Sequence, residues 1–345
     1  MIKIGILCPS EIAFRRFLPA VMKVDDIQYC GVAMGSEEEW FGKNCESVSE
    51  ELRKKTLSSE YEKAKKFQET YGGKIWKSYT EMVKSSELDA IYIPLPPALH
   101  YKWAKFGLEQ GKHILVEKPS TISLDEFIEL YTLAEEKKLA LYENYMFVFH
   151  EQLKEINHII DSKEIGEVRL YRMAFGFPQR DKDDFRYNKA LGGGALFDCG
   201  GYAIKYASML LGDSAAIVYS QMNYTDEFDV DIYGSAALIN DKGVTAQIAY
   251  GMDNSYKCEL EVWGSKGTLL TKRVFTAPVD FVPECRIETG KDVVIQKFSE
   301  DDTFKKSIQR FYNCITDDKV RQDTYKELKR QEILLNEFKK LADKR

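Results

Sequence analysis

Along the first 147 residues, short apolar runs alternate with amphipathic stretches. Residues 2–7 (IKIGIL) form an apolar run of strand length, closed by Pro9 and Ser10. Ile12, Phe14, Phe17, Leu18 and Val21 then recur at near-helical spacing over residues 11–23. Residues 28–34 (QYCGVAM) predict a second strand, and the charged stretch 50–70 predicts a helix with Leu52, Tyr61, Ala64 and Phe67 facing inward. Residues 89–95 (DAIYIPL) predict a buried strand, 100–111 a helix ending at a glycine, and 113–116 a further strand. Residues 124–138 predict a helix and 139–147 an extended segment. This alternation predicts an α/β fold built on a doubly wound parallel sheet. Such sheets take ligands beyond the carboxyl ends of their strands. Pro9, Pro94, Pro96, Pro97 and Pro119 stand where those strands give way to loops.

Beyond residue 149 the pattern changes. Segments 167–177, 215–224, 235–239, 244–250 and 256–264 have strand-like composition, separated by turn signals such as 240–243 (NDKG) and 265–267 (SKG). One helix is predicted near 195–211, and 303–341 reads as helical. A second, α+β domain with a large, mostly antiparallel sheet follows. A length of 345 residues accommodates about two domains, which we place at 1–148 and 149–345.

Composition narrows the function classes. The chain is 44% hydrophobic and 30% charged, as expected of a globular protein. No run of about 18 apolar residues suggests a membrane span, and MIKIGILCPSEIAF does not resemble a secretory signal. Cys8, Cys30, Cys45, Cys199, Cys258, Cys285 and Cys314 are scattered, odd in number and without a CxxC pair. Free thiols in a reducing cytoplasm are therefore expected. The four histidines are dispersed, so no metal site is expected. A net charge of −6 argues against general affinity for nucleic acid or anionic membrane.

A dinucleotide-binding loop normally reads GxGxxG after the first strand, so that the backbone can approach a pyrophosphate at a helix start. Here the stretch is Cys8, Pro9, Ser10, Glu11, Ile12 and Ala13. Ser10 and Ala13 are small, Ser10 offers a hydroxyl, and the backbone N–H groups remain. By itself this loop is equally compatible with a strand, turn and helix that bind no cofactor.

Other segments are more specific. Residues 111–119 (GKHILVEKP) resemble the GKHVLxEKP segment of the Gfo/Idh/MocA oxidoreductases, the glucose–fructose oxidoreductase and inositol dehydrogenase family. Three more segments are similar to that family in order and spacing: Ile93, Pro94, Leu95 and Pro96 with His100, residues 143–147 (ENYMF), and residues 191–202 (LGGGALFDCGGY). Residues 250–256, 260–267 and 273–278 resemble the nucleotide-sugar ketoreductases of the family. The resemblance implies an N-terminal Rossmann domain and a C-terminal domain for substrate binding and oligomerisation as dimer or tetramer. It also implies a nicotinamide cofactor and a keto-deoxyhexose linked to a nucleoside diphosphate as substrate.

Reducing a ketone requires a hydride source, a proton donor and a group that polarises the carbonyl. The resemblance places Lys118 between nicotinamide and substrate, where its ammonium would stabilise charge developing on the oxygen. Asp198 and Tyr202, four apart, share one face of a helix. Tyr202 is the expected proton donor, and Asp198 orients a partner or binds a sugar hydroxyl. Gly192, Gly193 and Gly194 would let a ligand approach the helix start closely. Glu117 is expected to hydrogen-bond the cofactor or position Lys118, and His100 to touch the cofactor or cap its helix. Tyr145 and Arg186 are candidate substrate contacts. Arg186 could meet a diphosphate or form an ion pair among Asp181, Asp183 and Asp184. Cofactor contacts are expected from Cys8, Pro9, Ser10, Glu11, Ile12, Ser36, Pro94 and Leu95 as well.

The second strand ends Val32, Ala33, Met34, Gly35 and Ser36, with neither an acid for NAD nor an arginine for NADP at its tip. Glu37, Glu38 and Glu39 would repel a 2′-phosphate, whereas Ser36, Arg53, Lys54 and Lys55 would favour one. The missing acid and the reductive role favour NADP over NAD. Residues 37–58 read as an insertion relative to the family. Three alternatives stay open: a dehydrogenase of a free sugar or cyclitol, an NAD-assisted glycosidase, and a non-catalytic protein that binds a sugar or nucleotide.

Overall fold

The computed structural model describes residues 1–42 and 48–343. Cys45 and residues 43–47 of the 37–58 stretch lie outside the described residues. In chain order the strands are β1 (Ile2–Leu7), β2 (Ile27–Ala33), β3 (Lys74–Trp76), β4 (Ala90–Ile93), β5 (His113–Val116), β6 (Leu141–Glu143) and β7 (Val168–Gly176). They continue with β8 (Ala216–Thr225), β9 (Phe228–Ile239), β10 (Thr245–Gly251), β11 (Lys257–Gly264), β12 (Gly267–Lys272), β13 (Glu284–Thr289) and β14 (Asp292–Lys297). The helices are α1 (Leu18–Val21), α2 (Glu37–Phe41), α3 (Glu50–Tyr71), α4 (Tyr79–Lys84), α5 (His100–Glu109) and α6 (Leu124–Lys137). After these come α7 (Glu151–Asp161), α8 (Gly201–Leu211), α9 (Thr303–Thr316) and α10 (Asp318–Ala342).

The chain forms two compact units. The first comprises Met1–Thr121, Asp125–Asn144 and Phe304–Lys326, and the second Ile122–Leu124, Tyr145–Thr303 and Glu327–Arg345. A linear division at 148 therefore misplaces three segments: residues 122–124 and 145–148 belong to the second unit, and residues 304–326 return to the first. Hydrogen bonds show what holds them there. The Ser307 hydroxyl meets Tyr142 Oη at 2.9 Å and donates to Asn144 Oδ1 at 2.7 Å, and Tyr325 Oη donates to the Leu139 carbonyl.

In the first unit six parallel strands run in the order β3-β2-β1-β4-β5-β6, the arrangement of dinucleotide-binding sheets. Ile4, Ile6, Val32, Ile91, Tyr92 and Ile114 are fully buried in it, as both faces of a parallel sheet require. Phe17 stacks on Tyr92 with ring centroids 3.9 Å apart. The helix over 50–70 forms, but Leu52 and Tyr61 are 50% and 48% exposed, contrary to expectation. Its inward stripe is Glu60, Ala64 and Phe67, spaced i, i+4, i+7, and Tyr61 lies a third of a turn away from it.

In the second unit eight strands run in the order β14-β13-β12-β11-β7-β10-β9-β8. Only β7 and β10 pair in parallel, and the other neighbours are antiparallel. One face is apolar, with Ile232, Leu238, Ile248, Leu260 and Val262 buried against α8 and neighbouring aromatic side chains. Among the described residues no helix is long and apolar enough to cross a membrane, and no cluster of His, Cys, Asp or Glu is placed to hold a metal ion.

Candidate active site

In the first unit the carboxyl ends of the parallel strands lie along one edge, and the predicted cofactor residues follow them. Cys8 stands where the first glycine of a GxGxxG loop would, and its φ of +87° is one that glycine favours. The tight turn therefore persists without the glycine, at a cost of about 1–3 kcal/mol. It is held by Cys8 N–H donating to the Ala33 carbonyl (3.2 Å) and Ser10 N–H to the Cys8 carbonyl (2.9 Å). Burial, with the charge of Glu60 adding to it, pushes the Cys8 thiol up to about 12, so it stays protonated. Pro9 is buried beside it. Ser10 Oγ accepts the Ala13 N–H at 3.3 Å, so it acts first as a helix cap. The N–H groups of Glu11 and Ile12, in the helical turn that follows, have no acceptor within that helix. A pyrophosphate fits such a pair of donors, so the loop retains what a dinucleotide needs.

At the tip of β2, Ser36 and Glu39 form a capping box: Ser36 Oγ accepts the Glu39 N–H (3.3 Å), and Glu39 Oε2 accepts the Ser36 N–H (2.8 Å). Glu39 also accepts from Tyr79 N–H, Thr80 N–H and Thr80 Oγ1 at 3.0, 2.9 and 2.7 Å. Burial works to raise its carboxyl, but these donors outweigh it and hold the group below the usual range. Glu37 pairs with Arg53. Two of the three glutamates are thus committed to the protein itself.

After β4, Pro94 and Leu95 are buried. His100 is 0% exposed, its Nδ1 lying 2.7 Å from the Pro119 carbonyl and its Nε2 2.7 Å from the Leu95 carbonyl. Of the two roles the sequence leaves open, it does not cap α5, which has no side-chain cap, and both its ring nitrogens face backbone carbonyls. It ties the loop after β4 to the loop after β5. Burial pushes the imidazole down to about 4 against the pull of these carbonyls, and the neutral ring donates its one N–H to one of the two carbonyls at a time.

Glu117 follows β5. Its Oε1 accepts from Tyr92 Oη and Asn144 Nδ2, both at 2.6 Å. Burial raises its carboxyl, opposed by these donors and by Lys118. With Ser307 and Tyr142 the bonds form a buried chain that ends next to Lys118. Glu117 Oε1 is thus engaged by the protein itself. Tyr92, Tyr142 and Ser307 were not legible as site residues. Asn144 stood in the 143–147 string without a role, and Ser307 lies far off in sequence with no local signal.

In the second unit the helix over 195–211 begins as a π-turn, Leu196–Gly200, before α8, a feature often found at functional sites. It carries Asp198 and Tyr202. Arg186 Nε donates to Asp198 Oδ2 at 2.8 Å, and its Nη1 to Asp184 Oδ1 at 3.1 Å. Burial works to deprotonate this guanidinium, but the two carboxylates hold it firmly charged. Of the partners expected for Arg186, Asp184 is present, and Asp198 is an additional one. Asp184 also forms part of the wall of a cleft of about 690 Å³, which Tyr187, Asn188 and Phe228 help to line.

Gly193 and Gly194, which precede this helix, make room for neighbouring protein atoms. A Cβ on Gly193 would lie 2.3 Å from the Arg186 carbonyl oxygen, and one on Gly194 2.4 Å from Asp231 Oδ1. Gly194 N–H also donates to the Arg186 carbonyl at 2.9 Å. The Tyr202 ring is packed by Tyr145, Phe147 and Phe175 at centroid distances of 5.3, 5.5 and 5.3 Å. Tyr145 is only 3% exposed, and its hydroxyl accepts from Gln331 Nε2 at 3.3 Å. It packs edge-on against Tyr202, with ring planes at 87°.

Comparison with known proteins identifies both units. Residues 33–145 match an oxidoreductase family model with an NAD-binding Rossmann fold, and residues 153–270 match the GFO/IDH/MocA C-terminal domain. A dTDP-3,4-didehydro-2,6-dideoxy-alpha-D-glucose 3-reductase of Actinomadura kijaniata is 32% identical over 314 residues, covering 91% of this chain and 87% of that one. The chain belongs to the GFO/IDH/MocA oxidoreductase family. A protein of the same description from Streptomyces violaceoruber is 35% identical over 289 residues, 83% of this chain and 77% of its own. Among solved structures, KijD10, a 3-ketoreductase from Actinomadura kijaniata in complex with NADP and TDP-benzene, superposes with a TM-score of 0.87 at 31% identity. That likeness covers 98% of this chain and 97% of KijD10. The resemblance to nucleotide-sugar ketoreductases is borne out at this level. The Rossmann match starts at residue 33, past the loop that has lost its glycines.

Proposed function

We propose that this GFO/IDH/MocA oxidoreductase reduces a keto group on a nucleotide-linked deoxyhexose, using NADPH. One observation carries the assignment of its residues. Structures of KijD10 include variants in which a tyrosine and a lysine are replaced, and those two positions stand as far apart in sequence as Lys118 and Tyr202 do here. The cofactor, when bound, supplies the hydride. Lys118 places a cation where the carbonyl oxygen gains charge, and Tyr202 gives its phenolic proton to the forming alkoxide. Arg186 pairs with Asp198 and fixes it in place, and Asp198 serves to orient substrate. The first unit takes the cofactor and the second the sugar.

The preference for NADP rests on NADP in the KijD10 complex and on the strand tip. Glu39, already accepting from four donors, has little capacity left for a ribose 2′-hydroxyl. A free-sugar dehydrogenase is the second reading, supported by a 30% identical D-xylose 1-dehydrogenase (NADP(+)) 2 of Haloferax volcanii over 69% of this chain. Following nicotinamide absorbance with a dTDP-linked keto-deoxyhexose, free aldoses and inositols decides between them. We expect turnover with the nucleotide-linked ketone alone and a lower KM for NADPH than for NADH. Turnover of a free sugar instead overturns the substrate class, and a lower KM for NADH overturns the cofactor choice.

Two further features of the proposal concern assembly and compartment. The sheet face opposite the apolar core of the second unit carries Tyr233, Ala249 and Trp263, all exposed, and supports a homo-oligomer. Sedimentation at micromolar concentration should show a dimer or tetramer, and a monomer would exclude it. Cys8, Cys30, Cys199, Cys258, Cys285 and Cys314 are free thiols, which supports a cytoplasmic location.

A further inference from the structure

We propose that Asp231 is a positioning residue, an ionisable anchor for the start of the helix that carries Asp198 and Tyr202. The inference rests on the catalytic roles proposed above for that helix. Asp231 lies on β9, is 5% exposed, and its Oδ2 accepts the Leu196 N–H at 2.8 Å. Leu196 opens the π-turn from which Asp198 projects. Helix geometry leaves such a first-turn N–H without an internal acceptor, so the carboxylate is its fixed point. The other oxygen, Oδ1, occupies the space where a side chain at position 194 would stand, and Gly194, with φ +126°, has none. Anchor and glycine thus form one unit, joining β9 to the reactive helix.

A carboxylate accepts more strongly than a neutral oxygen and suits the positive end of a helix. Its burial has a cost. Burial raises the Asp231 carboxyl from 3.8 to about 6, against the pull of Leu196 N–H, its own N–H, Tyr250 and Lys339. The groups that face it are Tyr224 from β8, Tyr250 from β10 and Lys339 from α10. Burial and the Asp231 charge raise both phenols, so they stay protonated while Asp231 titrates. Between pH 3.8 and about 6 the folded state binds this proton more tightly than the unfolded state. Stability therefore falls as pH rises through that window, and the full penalty is present above it. The charged form that anchors the helix best is the form that stabilises the fold least.

This opposition separates a positioning role from a merely structural one. Asp231→Asn keeps an acceptor oxygen but has no charge. At pH 7.5 we expect it to lower kcat about tenfold, the difference between a charged and a neutral acceptor, with each KM within about twofold. Its kcat should not vary between pH 5 and 7, whereas that of the unaltered protein should fall toward the variant's value below about 6. In urea at pH 8 the variant should be the more stable of the two. An unchanged kcat, a persisting acid limb, or a less stable variant at pH 8 each overturns the proposal. A second measurement needs no substitution. With ¹⁵N-leucine labelling, the Leu196 amide resonance should titrate with a midpoint near 6, and a resonance that stays constant from pH 5 to 8 also overturns the anchor. If Tyr202→Phe retained full turnover while Leu196 still titrated, the catalytic assignment would fail and the anchor would stand.

Discussion

Tyr202→Phe is expected to lower kcat by roughly 10²–10⁴-fold, the range a positioned proton donor supplies, with KM for the keto-sugar nearly unchanged. The substitution removes one oxygen and leaves the ring. Tyr202 is 6% exposed, and its ring is packed by Tyr145, Phe147, Phe175 and Phe275, the last at 6.2 Å. Phenylalanine keeps those contacts, so neither folding nor the course of the helix should change. A loss confined to kcat identifies an interaction made only in the transition state. A rise in KM at constant kcat would instead make the hydroxyl a substrate contact, and near-normal turnover would remove it from the reaction. Steady-state kinetics on the purified variant, with a thermal melt as control, distinguishes these outcomes.

Lys118→Ala is expected to lower kcat by roughly 10²–10³-fold, the effect of removing one donor from a developing oxyanion. The loop that carries Lys118 is also held by groups other than its ammonium. The Pro119 carbonyl is held by His100, and Glu117 by Tyr92 and Asn144. Alanine should therefore leave cofactor affinity within a few-fold, as fluorescence titration of NADPH would show. Methylammonium added to the alanine variant should restore part of kcat, since the missing element is a cation and not a shape. Rescue that is absent while NADPH binding is intact would argue against the electrostatic role. Lys118→Arg is not an equivalent replacement, because a planar guanidinium does not occupy the place of a compact ammonium.

Local periodicity made much of this protein legible. The strands β1, β4 and β5 emerge from sequence as short apolar runs buried on both faces, β10 and β11 as alternating buried and more exposed positions, and the helix over 50–70 as a charged stretch with one apolar stripe. Strings such as GKHILVEKP and GGGALFDCGGY pointed to Lys118, Asp198 and Tyr202. The strands β12, β13 and β14 were not foreseen. In β14 the reason is visible: Val293, Val294 and Ile295 are all half exposed at the sheet edge, so there is no alternation to read.

What the tertiary structure decided is the identity of each partner. Sequence indicated that Gly193 and Gly194 needed to be small, but only the fold shows that they make room for the Arg186 carbonyl and Asp231. It likewise assigns Arg186 to Asp198, Tyr145 to packing against Tyr202, His100 to two loops, and Ser307 to the bonds that lead to Glu117. The amino-acid sequence by itself determined the two sheets in outline, the sheet edge on which the proposed cofactor residues gather, and the residue types the proposed chemistry needs. The partners came from contacts between residues far apart in the chain. Periodicity records that a face is buried, whereas which group covers it depends on packing and hydrogen-bond geometry that no local pattern encodes.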